Sequence, residues 1–331
     1  MLALRNVTKR FPDGTLAVDD LSLEVPTGGV LALLGSSGSG KTTTLRMVNR
    51  LIEPTSGTIS IDGVDVRSLP LQQLRRGIGY VIQQSGLFPH RTVLDNVMTV
   101  PRLLGWDKAR ARTRALEMLD LVGLDRAIAR RYPAQLSGGQ QQRVGVARAL
   151  ASDPPVLLMD EPFGAVDPIV RTQLQQEFIR LQAELAKTVV FVTHDVDEAI
   201  TLATVVAVLR PGGSLAQLGS PEEVLALPAD EFVAEFLGAD RAVKLLGLRP
   251  ASAVPTRSLT DVVRGWRLDD AGQRWLGEAG ESIDVATVGP DDTARDVLDR
   301  ALAHPLGAVV HVDVTGRPHA VSTLADVGMA A

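Results

Sequence analysis

Three short stretches of the chain are almost continuously apolar: VLALL (Val30 to Leu34), PVLLMD (Pro155 to Asp160) and TVVFVT (Thr188 to Thr193). Runs of this length suit strands buried on both faces of a mostly parallel sheet. A helical pattern, KTTTLRMVNRLI, follows the first, and another, VRTQLQQEFIRLQAELA, lies between the second and third. The alternation predicts α/β layering. Leu2 to Val25 alternates over shorter periods and predicts an antiparallel β flank. From Val93 to Ala151 the strand signal vanishes, which predicts a helical insertion, a subdomain at about 93–151. Paired glycines in LRPGGSLAQLG predict a hairpin, and SPEEVLALPADEFVAEFLG predicts helix with Ser220 as N-cap. Past Gly238 the pattern weakens. TVGPDDTARDVLDRALAH and GAVVHVDVTGRP then give strand, helix, strand and turn. No long internal repeat is present. The expected division is one α/β domain over 1–238, a linker or eroded segment over 239–280, and a small α+β module over 281–331.

Composition narrows the class. A chain of 331 residues with 45% hydrophobic positions can bury a sizeable core, and its length suggests about two domains. The longest apolar run, ATVVAVL (Ala203 to Leu209), is far short of the roughly 20 residues of a membrane span. The N-terminus lacks the layout of a signal peptide. With no cysteine, a disulfide scaffold and a thiolate metal site are excluded. A cytosolic chain is expected. The net charge of −5 argues against general nucleic-acid binding, and the basic KARARTR stretch reads as a solvated helix face.

Chemistry enters with GSSGSGKT, Gly35 to Thr42, which follows a buried strand and opens a helix. That context defines a phosphate loop. Gly35, Gly38 and Gly40, with Ser36, Ser37 and Ser39 between them, let backbone N–H groups approach phosphate oxygens. Lys41 can neutralise β- and γ-phosphate charge, and Thr42 can ligate Mg²⁺; Thr43 follows in the first turn. The chain is therefore expected to bind a nucleoside triphosphate with Mg²⁺. Asp160 ends the second buried run and suits a Mg²⁺ role, while Glu161 can orient or deprotonate water. His194 ends the third run, at the same sheet edge, where ligands of open α/β sheets bind. Gln83 or Gln84 closes another strand and could reach Mg²⁺ and the water; position alone does not choose. A second anion cradle, LSGGQQQR, lies in the helical insertion: Ser137 can cap a helix whose first donors, at Gly138 and Gly139, are bare, with Gln140 next. One nucleotide already has its own loop, so this turn is expected to face a nucleotide on another subunit, two copies pairing by two-fold symmetry.

These motifs resemble those of ABC transporter ATP-binding subunits, over about Leu2 to Gly238. The resemblance makes GSSGSGKT the Walker A loop, LSGGQQQR the signature, VLLMDEP the Walker B strand with Glu161 the catalytic glutamate, GAVD ending at Asp167 the D-loop, and His194 the switch histidine. Val166 stands where the family more often has leucine. Family spacing selects Gln83 as the Q-loop residue, and Phe11 falls where the family places an adenine-stacking aromatic. ATP and Mg²⁺, a second ATPase subunit, membrane permease subunits and a solute-binding protein are implied, with the chain on the cytoplasmic face of the membrane. Longer stretches, among them RRGIGYVIQQSGLFPHRTVLDNV, resemble the subfamily that imports glycine betaine, choline, carnitine or proline betaine. The tail resembles a single CBS module. Its Thr323 and Asp326 match a T-x-x-D that can hold a ribose in such modules, although Ala320 replaces the usual glycine. Two other classes compete: a soluble ABC protein acting on ribosomes or DNA, and a nucleotide sensor without turnover. An importer of methionine or another amino acid is an alternative within the class.

Overall fold

The computed structural model describes every residue except 84, 85, 165, 166, 261, 262, 264, 270 and 331. The described chain divides into two compact units, Met1–Val224 and Leu225–Ala331.

In the first unit, β1 (Leu2–Arg10) and β2 (Leu16–Val25) pair antiparallel, and β1 also pairs antiparallel with β4 (Ser56–Ile61), which carries β5 (Val64–Asp65). This is the expected antiparallel flank, in the order β2-β1-β4-β5. The second sheet runs β10-β9-β3-β8-β7-β6. Its members are β3 (Val30–Gly35), β6 (Ile78–Val81), β7 (Val156–Asp160), β8 (Thr188–Thr193), β9 (Val205–Leu209) and β10 (Leu215–Gly219). All neighbours in it are parallel except the β9–β10 hairpin. Every residue of β3, β7 and β8 is buried, which is why their sequences are apolar on both parities. Alternate residues of β1 and β2, such as Leu4, Leu21 and Leu23, join Leu31, Leu33, Val190 and Val192 in one core with Leu45 of the helix α1 (Lys41–Val48).

Helix α2 (Leu71–Arg76) precedes β6. The insertion is helical as expected: α3 (Val93–Val97), α4 (Thr99–Leu103), α5 (Lys108–Leu121) and α6 (Gly138–Leu150). Ala111, Ala115, Met118 and Leu119 of α5 are buried at helical spacing while Lys108, Arg110 and Arg112 are exposed, so the KARARTR stretch is a solvated face. Helix α7 (Pro168–Leu185) connects β7 to β8, α8 (Val196–Leu202) connects β8 to β9, and α9 (Pro221–Ala226) follows β10. Ser220 and Glu223 form a reciprocal cap at the start of α9.

The second unit holds α10 (Glu231–Leu237) and α11 (Arg241–Leu248), then an antiparallel meander of β11 (Trp266–Leu268), β12 (Arg274–Gly277) and β13 (Ser282–Asp284). A further sheet follows: β14 (Thr287–Val288) runs parallel to β15 (Ala308–Val312) through α12 (Ala294–Ala303), and β16 (Pro318–Thr323) pairs antiparallel with β15 before α13 (Leu324–Val327). Strand alternation assigns its two faces. Val309 joins the core with Val297, Ala301 and Val327, whereas Ala308 and Val310 join the core around the fully buried Trp275. The strand–helix–strand–turn order expected over 281–331 is present. The division differs from the expected one near 238: it falls at 224/225, and residues 239–280 pack into the same unit as 281–331. Arg257, for example, pairs with Val321 of β16, and β13 completes the meander begun at β11. Among the described residues no helix is long and apolar enough to cross a membrane.

Candidate functional site

The loop between β3 and α1 is shaped by close approach. A Cβ at Gly40 would lie 2.0 Å from the Ala17 carbonyl oxygen, and Gly38 and Gly40 have φ of 81° and 80°, a region open to glycine. At Gly35 an added Cβ would meet Ser39 Oγ at 2.6 Å. A cavity of ~250 Å³ results, lined by Ser37 through Thr43 together with Glu161 and His194. Its floor is the N-terminus of α1, whose unbonded N–H groups favour an anion.

Lys41 is 7% exposed and curls over the loop. Its Nζ donates to the Gly35 and Ser36 carbonyls at 2.7 Å each, and reaches Ser39 Oγ at 3.4 Å. Burial pulls the Lys41 pKa below the usual lysine range, against the opposing pull of the Glu161 and Asp160 carboxylates. Thr42 Oγ1 donates to Asp160 Oδ1 at 3.0 Å. Burial pushes the Asp160 carboxyl above the usual range although Thr42, Arg46 and Lys41 favour its charge. A hydroxyl and a carboxylate brought together at the foot of a phosphate cradle fit Mg²⁺, a cation that takes hard oxygen donors and keeps water and phosphate as its other ligands.

Glu161 is the hub of the remaining side chains. Gln83 Nε2 donates to its Oε2 at 2.7 Å, and His194 Nδ1 lies 3.6 Å from its Oε1. Its backbone is left-handed, φ 45°, a strained conformation for a residue with a side chain, and its N–H bonds the Val192 carbonyl at 3.1 Å. The turn aims the side chain across the ends of β7 and β8. Gln83 is described and engaged here; Gln84 lies outside the described residues.

The signature turn is elsewhere. Ser137 Oγ accepts from the Gln140 N–H at 3.2 Å and Gln140 Oε1 accepts from the Ser137 N–H at 3.1 Å, a capping box at the start of α6. Ser137 and Gly138 are exposed, and Gly139 is buried against Val170. None of these residues lines the cavity beside Lys41. Asp167 caps α7, its Oδ1 accepting from the Val170 N–H at 3.1 Å; Val166 lies outside the described residues. Phe11 is half-buried at the end of β1 with Lys9 Nζ 5.2 Å from its ring centre, and it does not line the cavity. Thr323 and Asp326 belong to the second unit. Thr323 donates to Asp326 through N–H and Oγ1 at 2.8 and 2.7 Å, and Arg257 donates to both carboxylate oxygens at 3.1 and 3.0 Å. Their polar atoms are engaged with the chain itself.

Sequence reasoning missed Arg46 and Tyr80. Arg46 lies near enough to favour the charge of both Asp160 and the Tyr80 phenolate, while the Tyr80 pKa is raised chiefly by burial and next by Asp160. The signal was the i,i+4 spacing of Thr42 and Arg46, which puts both on one face of α1.

The profile of the ABC transporter family matches residues 18–164. The osmoprotectant import ATP-binding protein OsmV of Salmonella typhimurium is 53% identical over 80% of this chain and 70% of its own length. The glycine betaine uptake system ATP-binding protein YehX of Escherichia coli is 45% identical over 96% of each. Among solved structures, a dimeric ATP-binding cassette in a post-hydrolysis state with ADP and Pi is 37% identical, with a TM-score of 0.61 over 67% of this chain and 99% of that one. Phosphate loop, glutamate hub, detached signature turn and relatives agree: the chain belongs to the ATP-binding subunits of ABC transporters, which bind ATP with Mg²⁺ and hydrolyse it.

Proposed function

We propose that this chain powers an importer of osmoprotectants such as glycine betaine, choline, carnitine or proline betaine, as a homodimer on the cytoplasmic face of the cell membrane. The substrate class rests on relatives such as OsmV and YehX, whose names carry it. The working dimer rests on one observation. The turn capped by Ser137 presents bare helix donors, yet it does not line the cavity of its own chain. An anion site so built suits a nucleotide held by another copy.

Thr42 and Asp160, with Gln83, would hold Mg²⁺, which would neutralise phosphate charge when bound. Lys41 exchanges its two carbonyl partners for phosphate oxygens. Ser37 to Thr43 supply backbone donors, and Phe11, outside the cavity lining, is the residue assigned to stack on the adenine. Glu161 takes a proton from the attacking water, which Gln83 orients, and His194 contacts the γ-phosphate. Ser137, Gly138, Gly139 and Gln140 close the site from the partner subunit, beside Asp167. The Gln83 to Pro101 stretch passes closure to the permease, which draws solute from a binding protein. The strand–helix–strand–strand–helix order of 287–327 supports the resemblance of the tail to a CBS module, and the internal contacts of Thr323 and Asp326 favour a structural role there over a ribose site.

Glu161→Gln tests the mechanism. The amide keeps the shape and can still accept from Gln83, so ATP binding and fold persist. Hydrolysis should fall by about 10²–10⁴-fold, and light scattering with ATP should find a trapped dimer. Wild-type phosphate release by this variant refutes the assignment. Uptake of labelled glycine betaine by cells with and without the chain tests the substrate class.

A further inference from the structure

The first turn of α7 lies between two elements of the proposed mechanism. On one side, a Cβ added to Gly139 would stand 2.6 Å from Val170 Cγ1, so the signature turn rests directly on that turn. On the other side is Arg171, whose N–H bonds the Asp167 carbonyl at 2.8 Å. Its guanidinium faces the start of α8, with Nη1 3.5 Å from Asp195 Oδ2 and Nε 4.0 Å from Glu198 Oε1.

Those two carboxylates hold the backbone around His194. Asp195, the next residue, caps α8: its Oδ1 accepts from the N–H groups of Asp197 and Glu198 at 2.9 and 3.2 Å. Glu198 is 4% exposed. Its Oε2 accepts from Thr193 Oγ1 at 2.6 Å, and that hydroxyl oxygen accepts from the Asp195 N–H at 3.0 Å. The residues immediately before and after His194 are thereby tied to one acidic pair. Burial pushes the Glu198 carboxyl above its usual range, Thr193 and Arg171 pull it down, and Asp195 pushes it up. Arg171 thus acts on both carboxylates, from a different helix.

The contact is incomplete. Arg171 Nε is buried and makes no hydrogen bond among the described residues, and its separation from Glu198 exceeds hydrogen-bond length. A buried donor left unpaired is costly, so any small approach of α7 to α8 that closes the gap is favoured. The first turn of α7 is where such a displacement would arrive if the signature turn were pressed, because Gly139 sits against Val170 of that turn.

We propose that Arg171 is a positioning residue for His194, coupling the turn of α7 that supports the signature motif to the acidic pair that holds the histidine's backbone. A nucleotide engaged by the Ser137 turn then biases the histidine of that same chain, which serves the chain's own nucleotide. The inference rests on the roles given above to Ser137 and His194.

The test uses the full-length chain. Phosphate release is measured against ATP concentration, beside binding of a non-hydrolysable ATP analogue. Arg171→Ala should lower kcat about tenfold and leave KM and analogue affinity within about twofold. Arg171→Lys, which keeps the cation, should recover most of kcat. In a His194→Ala background, Arg171→Ala should add less than about twofold, since residues acting through one another are non-additive. Equal losses in both backgrounds, or a near-wild-type kcat for Arg171→Ala beside an inactive His194→Ala, overturn the inference alone. Full hydrolysis by His194→Ala overturns the histidine assignment and the inference with it. Should Arg171→Ala fold poorly, Arg171→Ala with Glu198→Gln removes the stranded charge and keeps an acceptor for Thr193. That pair should melt like wild type while kcat stays low; a recovered kcat would reduce Arg171 to neutralising Glu198 and overturn the proposal.

Discussion

Replacing Arg257 by alanine measures what the T-x-x-D sequence in the tail is for. Asp326 is 6% exposed and accepts four hydrogen bonds, two from Arg257 and two from Thr323. Arg257→Ala deletes the first two and leaves the carboxylate with Thr323. Stripping one partner from a buried ion pair costs about 3–5 kcal/mol. The Arg257 side chain, however, is 50% exposed, so water can replace part of what is lost, and about 2 kcal/mol is expected. For a unit of this size that is a drop of roughly 10 °C in Tm. The pH dependence has a definite sign. Burial raises the Asp326 pKa, but the bonds from Arg257 and Thr323 outweigh it and hold the folded value below the usual range. Its contribution is complete above the unfolded value of about 4 and is lost as pH falls through the folded one, so wild type should lose more stability on acidification than Arg257→Ala. Urea unfolding followed by tryptophan fluorescence reads this directly in a Trp106→Phe background, because Trp266 and Trp275 both lie in the second unit. An unchanged unfolding midpoint in Arg257→Ala, with adenine-nucleotide binding that needs Asp326, would refute the structural role.

The phosphate loop and the signature turn give two further tests. Gly40→Ala should cost nucleotide affinity at least about tenfold, since it combines a left-handed backbone, about 1–2 kcal/mol, with a Cβ 2.0 Å from the Ala17 carbonyl oxygen. Gly38→Ala meets nothing within 4 Å and should show only the backbone cost, so equal losses in calorimetric titrations would contradict the packing argument. Ser137→Arg should abolish phosphate release while the isolated subunit binds an ATP analogue with unchanged affinity. Lost affinity in a monomeric preparation would mean that the turn serves its own chain.

Much of this was legible because burial on both faces leaves an unmistakable record. The apolar runs of β3, β7 and β8 are the fully buried strands, and GSSGSGKT sits at the strand-to-helix junction that gives it meaning. The helical insertion and the Gly212–Gly213 hairpin were visible for similar reasons. The meander of β11 to β13 was not. Its strands are three or four residues long, too short for alternation to stand out, and its burial depends on Trp275 packing against β15 and β16. Polar pairings distant in sequence left no trace either. Nothing near Asp326 announces Arg257, and nothing near His194 announces Arg171, because spacing rules reach only a turn or two along the chain. The position of Phe11 was readable, but an adenine contact depends on a ligand rather than on the fold.

Lys41 carries a consequence for how readily the site is filled. Its ammonium is already folded back onto the loop and held by the Gly35 and Ser36 carbonyl oxygens. An arriving phosphate therefore meets a cation whose rotamers are ordered and whose water is largely gone. Binding becomes an exchange of neutral acceptors for charged ones, with little new ordering of the long side chain. Such preorganisation lowers the entropic cost of binding, since the confinement of the lysine was met when the chain folded.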